Sequence, residues 1–173
     1  RTIKFEPGHR EKFWHKNCVA VGVSAGFVEP LEASALILIE KSAEWISEQL
    51  PEDSAAMPLV AKRFNEITSQ HWRSIIDFLK LHYVLSERSD SEYWRDHSDE
   101  KSIPESLQES MSLWRTQVPW LHETNYRVEL FSSVSLQYVL YGMGFVSDFK
   151  ENRYRQWARD KEIASRLIRD NDA

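Results

Sequence analysis

The sequence predicts a mainly α chain: two short strands near the N-terminus followed by five or six helices. Three observations carry this. Apolar residues recur at three- and four-residue spacing from Val60 to His82, the period of one helix face. A run of helix-forming residues follows Pro30, a residue favoured at helix starts. Strand-like patterning is confined to the stretch before Ser24.

The elements follow in order. Ile3 to Phe5 alternates apolar and charged residues, as a strand does, and Glu6-Pro-Gly-His9 reads as a turn. Cys18-Val-Ala-Val-Gly22 is a short apolar run that suits a buried strand. Ser24-Ala-Gly26 is a small-residue turn. A helix is expected from Leu31 to Leu50, with Leu31, Ala35, Leu38, Ser42, Trp45 and Ile46 on one face. A long helix is expected from Leu59 to about Leu85, its face marked by Val60, Phe64, Ile67, His71, Ile75, Phe78 and His82. One or two turns are expected over Ser91 to Asp96. Ser102-Ile-Pro-Glu105 reads as a helix start with Ser102 as cap. Residues 118–125 look irregular, Glu129 to Tyr141 helical up to the Gly142-Met-Gly144 stop, and Tyr154 to Ile168 suits a final helix.

Composition narrows the function. The net charge is -5, with 22 basic and 27 acidic residues and no large basic cluster, so a phosphate-dominated nucleic-acid interface is not expected. No apolar run is long enough to span a membrane. The lone Cys18 cannot form an internal disulfide, which suits a reducing, cytoplasmic setting. His71 and His82 lack the close pairing of a helical zinc site, and no Cys cluster joins them; no metal is expected. The start at Arg1, which reads as a strand entered from upstream, is expected to be internal to a longer protein. The 7 Trp, 6 Tyr and 8 Phe fit a core of large side chains or a pocket for a flat aromatic molecule.

The chemistry is expected in the stretch Asn17-Cys-Val-Ala-Val-Gly-Val-Ser-Ala-Gly-Phe-Val-Glu-Pro-Leu-Glu-Ala-Ser-Ala35. A strand delivers small residues to a turn, which lets a flat cofactor approach the backbone. The helix that follows offers unpaired N–H groups and partial positive charge, a setting that suits an anion. Glu29 and Glu32 are expected at the same end. Ordinary helix-end charge compensation explains such acids equally well.

Phe13 to Leu36, with Asn17-Cys18, Gly22, Ser24 and Gly26-Phe-Val-Glu-Pro-Leu-Glu32, closely resembles the flavin-dependent tryptophan halogenases. Arg63-Phe-Asn65, Asp77-Phe78, His82-Tyr83, Ser91-Glu-Tyr-Trp-Arg95, Ile103-Pro-Glu-Ser-Leu107 and Val139-Leu-Tyr-Gly-Met-Gly144 fall in the family's order. The resemblance runs to about Phe145. It implies the C-terminal part of a flavin-monooxygenase-like α/β halogenase fold. Residues 1–36 would be the end of the FAD-binding module and 37–173 the helical substrate module.

In that family reduced FAD and oxygen convert halide to hypohalous acid, which reaches a catalytic Lys and halogenates an electron-rich ring. The resemblance implies Glu32 as the catalytic Glu, polarising the electrophile or taking the ring proton. It places halide, chloride or bromide, against the backbone N–H groups of Ser34 and Ala35. Val23 and Leu36 would line the flavin, with Ser24 and Ala25 beside it. The expected partners are an indole-type substrate, a flavin reductase that supplies reduced FAD, and the upstream FAD-binding region; a homodimer is left open. The Gly-rich nucleotide turn, the catalytic Lys and the Trp-x-Trp-x-Ile-Pro segment lie upstream in the family and do not occur here. This chain alone is therefore expected to be inactive. Two other readings are a related FAD monooxygenase and a helical interaction module without chemistry of its own.

Family members that use free tryptophan grip its amino and carboxylate groups with a Tyr pair and a Glu. The Glu position falls here at Tyr126, the neighbouring aromatic positions at Leu130 and Phe131, and the Tyr pair near Trp120. A phenol in place of the carboxylate loses a charge-assisted contact. Trp120, Tyr126, Leu130 and Phe131 are expected to line a pocket for an indole, a phenol or a larger tryptophan-containing molecule. In a competition assay the full-length protein should halogenate indole ahead of free tryptophan; a strong preference for the amino acid contradicts this.

Overall fold

The structure, a computed structural model, describes residues 6–120 and 130–148. Five α-helices dominate: α1 (Ser34–Gln49), α2 (Met57–Val84), α3 (Glu92–Ser98), α4 (Glu105–Trp114) and α5 (Ser133–Gly142). Ahead of them lie four two-residue strands, β1 (Gly8–His9), β2 (Trp14–His15), β3 (Cys18–Val19) and β4 (Gly26–Phe27). They pair as two antiparallel ladders, β1 with β4 and β2 with β3. The strand expected over Ile3 to Phe5, Tyr126 and the helix expected over Tyr154 to Ile168 lie outside the described residues.

Helix α2 is the spine. Its buried face, Phe64, Thr68, His71, Trp72, Ile75, Phe78, Leu79 and Leu81, follows the period read from the sequence. The N-terminal half of that face joins Phe13, Trp14, Ala25 and Leu38 in one core cluster. The C-terminal half joins Leu107, Trp114 and Leu140 in a second. Half-buried Phe131 packs against both. Trp14, Trp45 and Phe64 meet edge to face at 5.3–6.3 Å, the arrangement that ring quadrupoles favour.

Several boundaries differ from the sequence expectation. The Cys18–Gly22 run is not a buried strand: only Cys18–Val19 pairs, and Cys18 is exposed. Its pairing partner is the Trp14–His15 segment, whose Trp14 takes the buried place instead. Ser102 does not cap α4. It lies in a 3-10 turn and donates to Asp99 O at 2.6 Å, while Pro104 precedes the helix. Helix α5 starts at Ser133, because the Ser132 hydroxyl accepts from the Ser135 N–H and ends the extended backbone there.

Asn65 fixes the β2–β3 hairpin to α2. Its Oδ1 accepts from the N–H groups of Phe13 and Trp14, each at 2.8 Å, and its Nδ2 donates to Trp14 O at 2.9 Å. One amide thus satisfies three backbone groups that no strand partner reaches. Asn65→Ala should destabilise the protein by about 2–4 kcal/mol, because buried donors are left unpaired; a thermal or denaturant melt of the full-length protein measures it.

Candidate active site

The segment from Gly22 to Ser34 connects the hairpins to α1. Gly22 has φ 63, a left-handed conformation that glycine adopts without cost. It opens a 3-10 turn over Gly22–Ser24, and Ala25 N–H donates back to Gly22 O at 2.9 Å. The Ser24 hydroxyl is used internally, bonded to the N–H and the carbonyl of Val21. Ala25 is buried in the core and holds Arg10 N–H on its carbonyl. A Cβ on Gly26 would lie 2.7 Å from Gly8 O, His9 Cβ and a ring carbon of Trp72. The small residue at Gly26 therefore serves this chain's own packing. Val23 and Leu36, 81% and 74% exposed, face outward, as Phe27 and Leu31 do to a lesser extent.

Helix α1 begins at Ser34, three residues later than Leu31. Pro30 to Ala33 forms a turn instead, closed by Ala33 N–H on Pro30 O at 3.1 Å. Ala33 then sits in the left-handed region at φ 51, which costs on the order of 1 kcal/mol for a residue with a Cβ. No side chain caps the helix and no acid lies in its first turn. The N–H groups of Ser34 and Ala35 have no intrahelical carbonyl to reach. They leave a start with partial positive charge and no carboxylate to neutralise it.

Glu32 points elsewhere. Its Oε1 lies 3.1 Å from His82 Nε2 in the last turn of α2, with the Glu32 side chain 33% exposed. His82 Nδ1 is 2.8 Å from Phe78 O. A carbonyl only accepts, so Nδ1 carries a hydrogen. The Nε2–Oε1 contact is then a hydrogen bond only while a proton lies between them, on the imidazole or on the carboxyl. The His82 ring stands edge-on to Phe78 at 5.0 Å and 83°, and Phe78 stacks on Phe131 at 4.0 Å and 28°. A carboxylate, an imidazole and two aromatic rings thus form one continuous chain of contacts.

The structure brings together Glu32, Ser34, Ala35 and Leu36 on one loop and helix start, and links Glu32 to Phe131 through His82 and Phe78. Leu130 packs against the first core cluster. Trp120 is 62% exposed; Tyr126 lies outside the described residues. Sequence reasoning weighed His82 as a residue of the α2 face, as part of the His82-Tyr83 pair and against a metal role, with no contact to Glu32 foreseen. The signal it offered was its place at the end of the α2 face. Among the described residues no group of three or more His, Cys, Asp or Glu could hold a metal ion. No described helix is long and apolar enough to cross a membrane.

The sequence profile described as Tryptophan halogenase matches residues 1–159. The chain belongs to the tryptophan halogenase family. Among tryptophan halogenases it is 36% identical over 118 residues to the tryptophan 7-halogenase KtzQ of Kutzneria sp., covering 68% of this chain and 22% of that one. It is 32% identical over 117 residues to the tryptophan 6-halogenase SttH of Streptomyces toxytricini, with the same coverage. The fold matches a tryptophan halogenase from Shewanella frigidimarina at TM-score 0.84 and 46% identity, over 99% of this chain and 32% of that one. It also matches BrvH, a flavin-dependent halogenase from Brevundimonas, at TM-score 0.75 and 32% identity, over 96% and 35%. The chain thus spans about a fifth of the length of the curated halogenases it matches.

Gly26→Ala should lower stability by about 1–3 kcal/mol, the usual cost of forcing an extra carbon into a packed site. The melting temperature of the full-length protein checks it.

Proposed function

We propose that the full-length protein is a flavin-dependent halogenase acting on an electron-rich aromatic, tryptophan or an indole. This chain supplies its halide seat, its catalytic carboxylate and part of an aromatic wall. The observation that carries the reading is the pairing of Glu32 with His82 two residues before the uncapped amides of Ser34 and Ala35.

The residues fit the two groups the family implies. Ser34 and Ala35 N–H groups would hold chloride or bromide, since the helix start is positive and carries no acid in its first turn. Val23 and Leu36 would offer apolar surface to the flavin. Reduced FAD, delivered by a flavin reductase and used with oxygen, supplies the oxidising power that makes the halogen electrophilic. The nucleotide-binding turn and the catalytic Lys would come from upstream sequence.

Glu32 acts on the aromatic substrate. When a ring carbon gains a halogen it must lose its hydrogen: the C–H electron pair returns to the ring and the proton needs an acceptor. Oε1 of Glu32 is engaged by His82, and no other partner of Glu32 is found among the described residues. Oε2 is therefore the atom to take the ring proton, and the imidazole holds the carboxyl in place as its charge changes. Half-buried Phe131, stacked on core Phe78, would offer a flat apolar face for the ring.

Glu32→Gln in the full-length protein should cut halogenation by about 10²-fold or more, the usual contribution of a general base, with KM for the aromatic little changed. Product formation with a reductase, FAD and bromide reads it. A loss under threefold would sink the assignment. Hydroxylated product formed without halide dependence would point to a monooxygenase instead.

A further inference from the structure

A base and an anion seat stand very close together in this chain. Glu32 and Ser34 are two residues apart, so their Cα atoms lie no more than about 7.6 Å from each other. An ionised carboxylate at that range repels a halide ion. The repulsion is strengthened where water is scarce, and here Ser34 is buried and the Glu32 side chain is 33% exposed. A halide held on the Ser34 and Ala35 amides would therefore be opposed by Glu32 unless something cancels its charge.

The contact with His82 does so, as a count of protons shows. Phe78 O, 2.8 Å from Nδ1, requires a hydrogen on that nitrogen. Nε2 and Oε1, 3.1 Å apart, need one further proton between them. With that proton on nitrogen, the pair is an imidazolium and a carboxylate. With it on oxygen, the pair is an imidazole and a carboxylic acid. The net charge is zero in both cases. No other cation does this work among the described residues. His82 is the basic residue in the last turn of α2, and this is the one ion pair in which Glu32 takes part. Lys41, the nearest lysine along α1, pairs with Glu44 at 2.9 Å instead.

We infer that His82 sets halide affinity: by holding the shared proton it cancels the charge of Glu32, so that halide can occupy the Ser34–Ala35 amides beside a base that keeps Oε2 free. The inference rests on the proposed halide seat. It goes beyond the orientation of Glu32, because a neutral hydrogen-bond donor at position 82 would still hold the carboxylate and would leave it fully charged.

The test uses the full-length protein loaded with FAD. Line broadening in chloride NMR reads affinity without turnover, and the bromide dependence of product formation reads it in the working enzyme. His82→Gln keeps a donor for Glu32 but carries no charge. It should weaken chloride binding and raise the bromide half-saturation about tenfold, the order expected for one extra unit charge about 8 Å away at an effective dielectric of roughly 30. KM for the aromatic substrate should stay within about twofold. Glu32→Gln removes the charge that His82 cancels and should bind chloride at least as tightly as the wild type. The double variant is neutral again. Its chloride affinity should return to within about twofold of the wild type, a non-additive result that also shows the His82→Gln change to be tolerated by the fold. Glu29 and Glu40, the neighbouring acids in sequence, are the same in every variant, so the comparison isolates the pair.

Unchanged chloride affinity in His82→Gln overturns the inference. So does a double variant that binds as weakly as His82→Gln, or a Glu32→Gln variant that binds less well than the wild type. Where the wild type forms halide-dependent product and the variants fail in one of these ways, the proposed function stands and the inference falls alone. A wild type that neither binds chloride nor forms halide-dependent product removes the halide seat, and the inference with it.

Discussion

The continuity of α2 is the constraint on which the site depends. At 28 residues this helix is about 42 Å long, and it takes part in both core clusters. Near its start Asn65 holds the β2–β3 hairpin, and at its end His82 holds the loop that leads into α1. A break in α2 would uncouple the hairpin from the loop, although the two are adjacent in the chain. The apolar stripe from Phe64 to Leu81 prevents that, because every turn of it is buried against something.

The same helix explains why the rest of the site takes the form it does. A side chain on the last turn of a helix has a free end to work from and a packed base beneath it. His82 bonds the carbonyl one turn back and faces Phe78 edge-on, so its outer nitrogen is aimed without help from solvent. The start of α1 is built in the opposite way. It lacks a side-chain cap and enters through a left-handed Ala33, an arrangement that costs stability and leaves its first amides unspent. Local cost of this kind is expected where an element is shaped for a ligand and not only for packing.

Much of this was legible in the residues. The α2 stripe, the stop after α5 and the Gly26-Phe-Val-Glu-Pro-Leu-Glu32 stretch all depend on local periodicity or on a turn that only certain residues make, and such signals survive in one dimension. What was not legible depends on pairs far apart in the chain. Pro30 suggested a helix start at Leu31, but the backbone closes a turn over Pro30–Ala33 first, and Glu32 within that turn reaches His82 at the end of α2. The apolar run at Cys18 resembled a buried strand, yet Trp14 outcompetes it for the core. His82 read as one more residue of an apolar face, because nothing near it in sequence shows that a carboxylate fifty residues earlier would meet it.

The Asn65 amide joins residues 51 and 52 positions apart, which makes the intervening chain a closed ring with Glu32 about a third of the way round. Closing a ring of that size is only modestly costlier than closing one half as long, since the entropy grows with the logarithm of length. Once closed, the ring leaves the Glu32 loop tethered from both directions along the chain, and motion there must be shared with the hairpin and with α1.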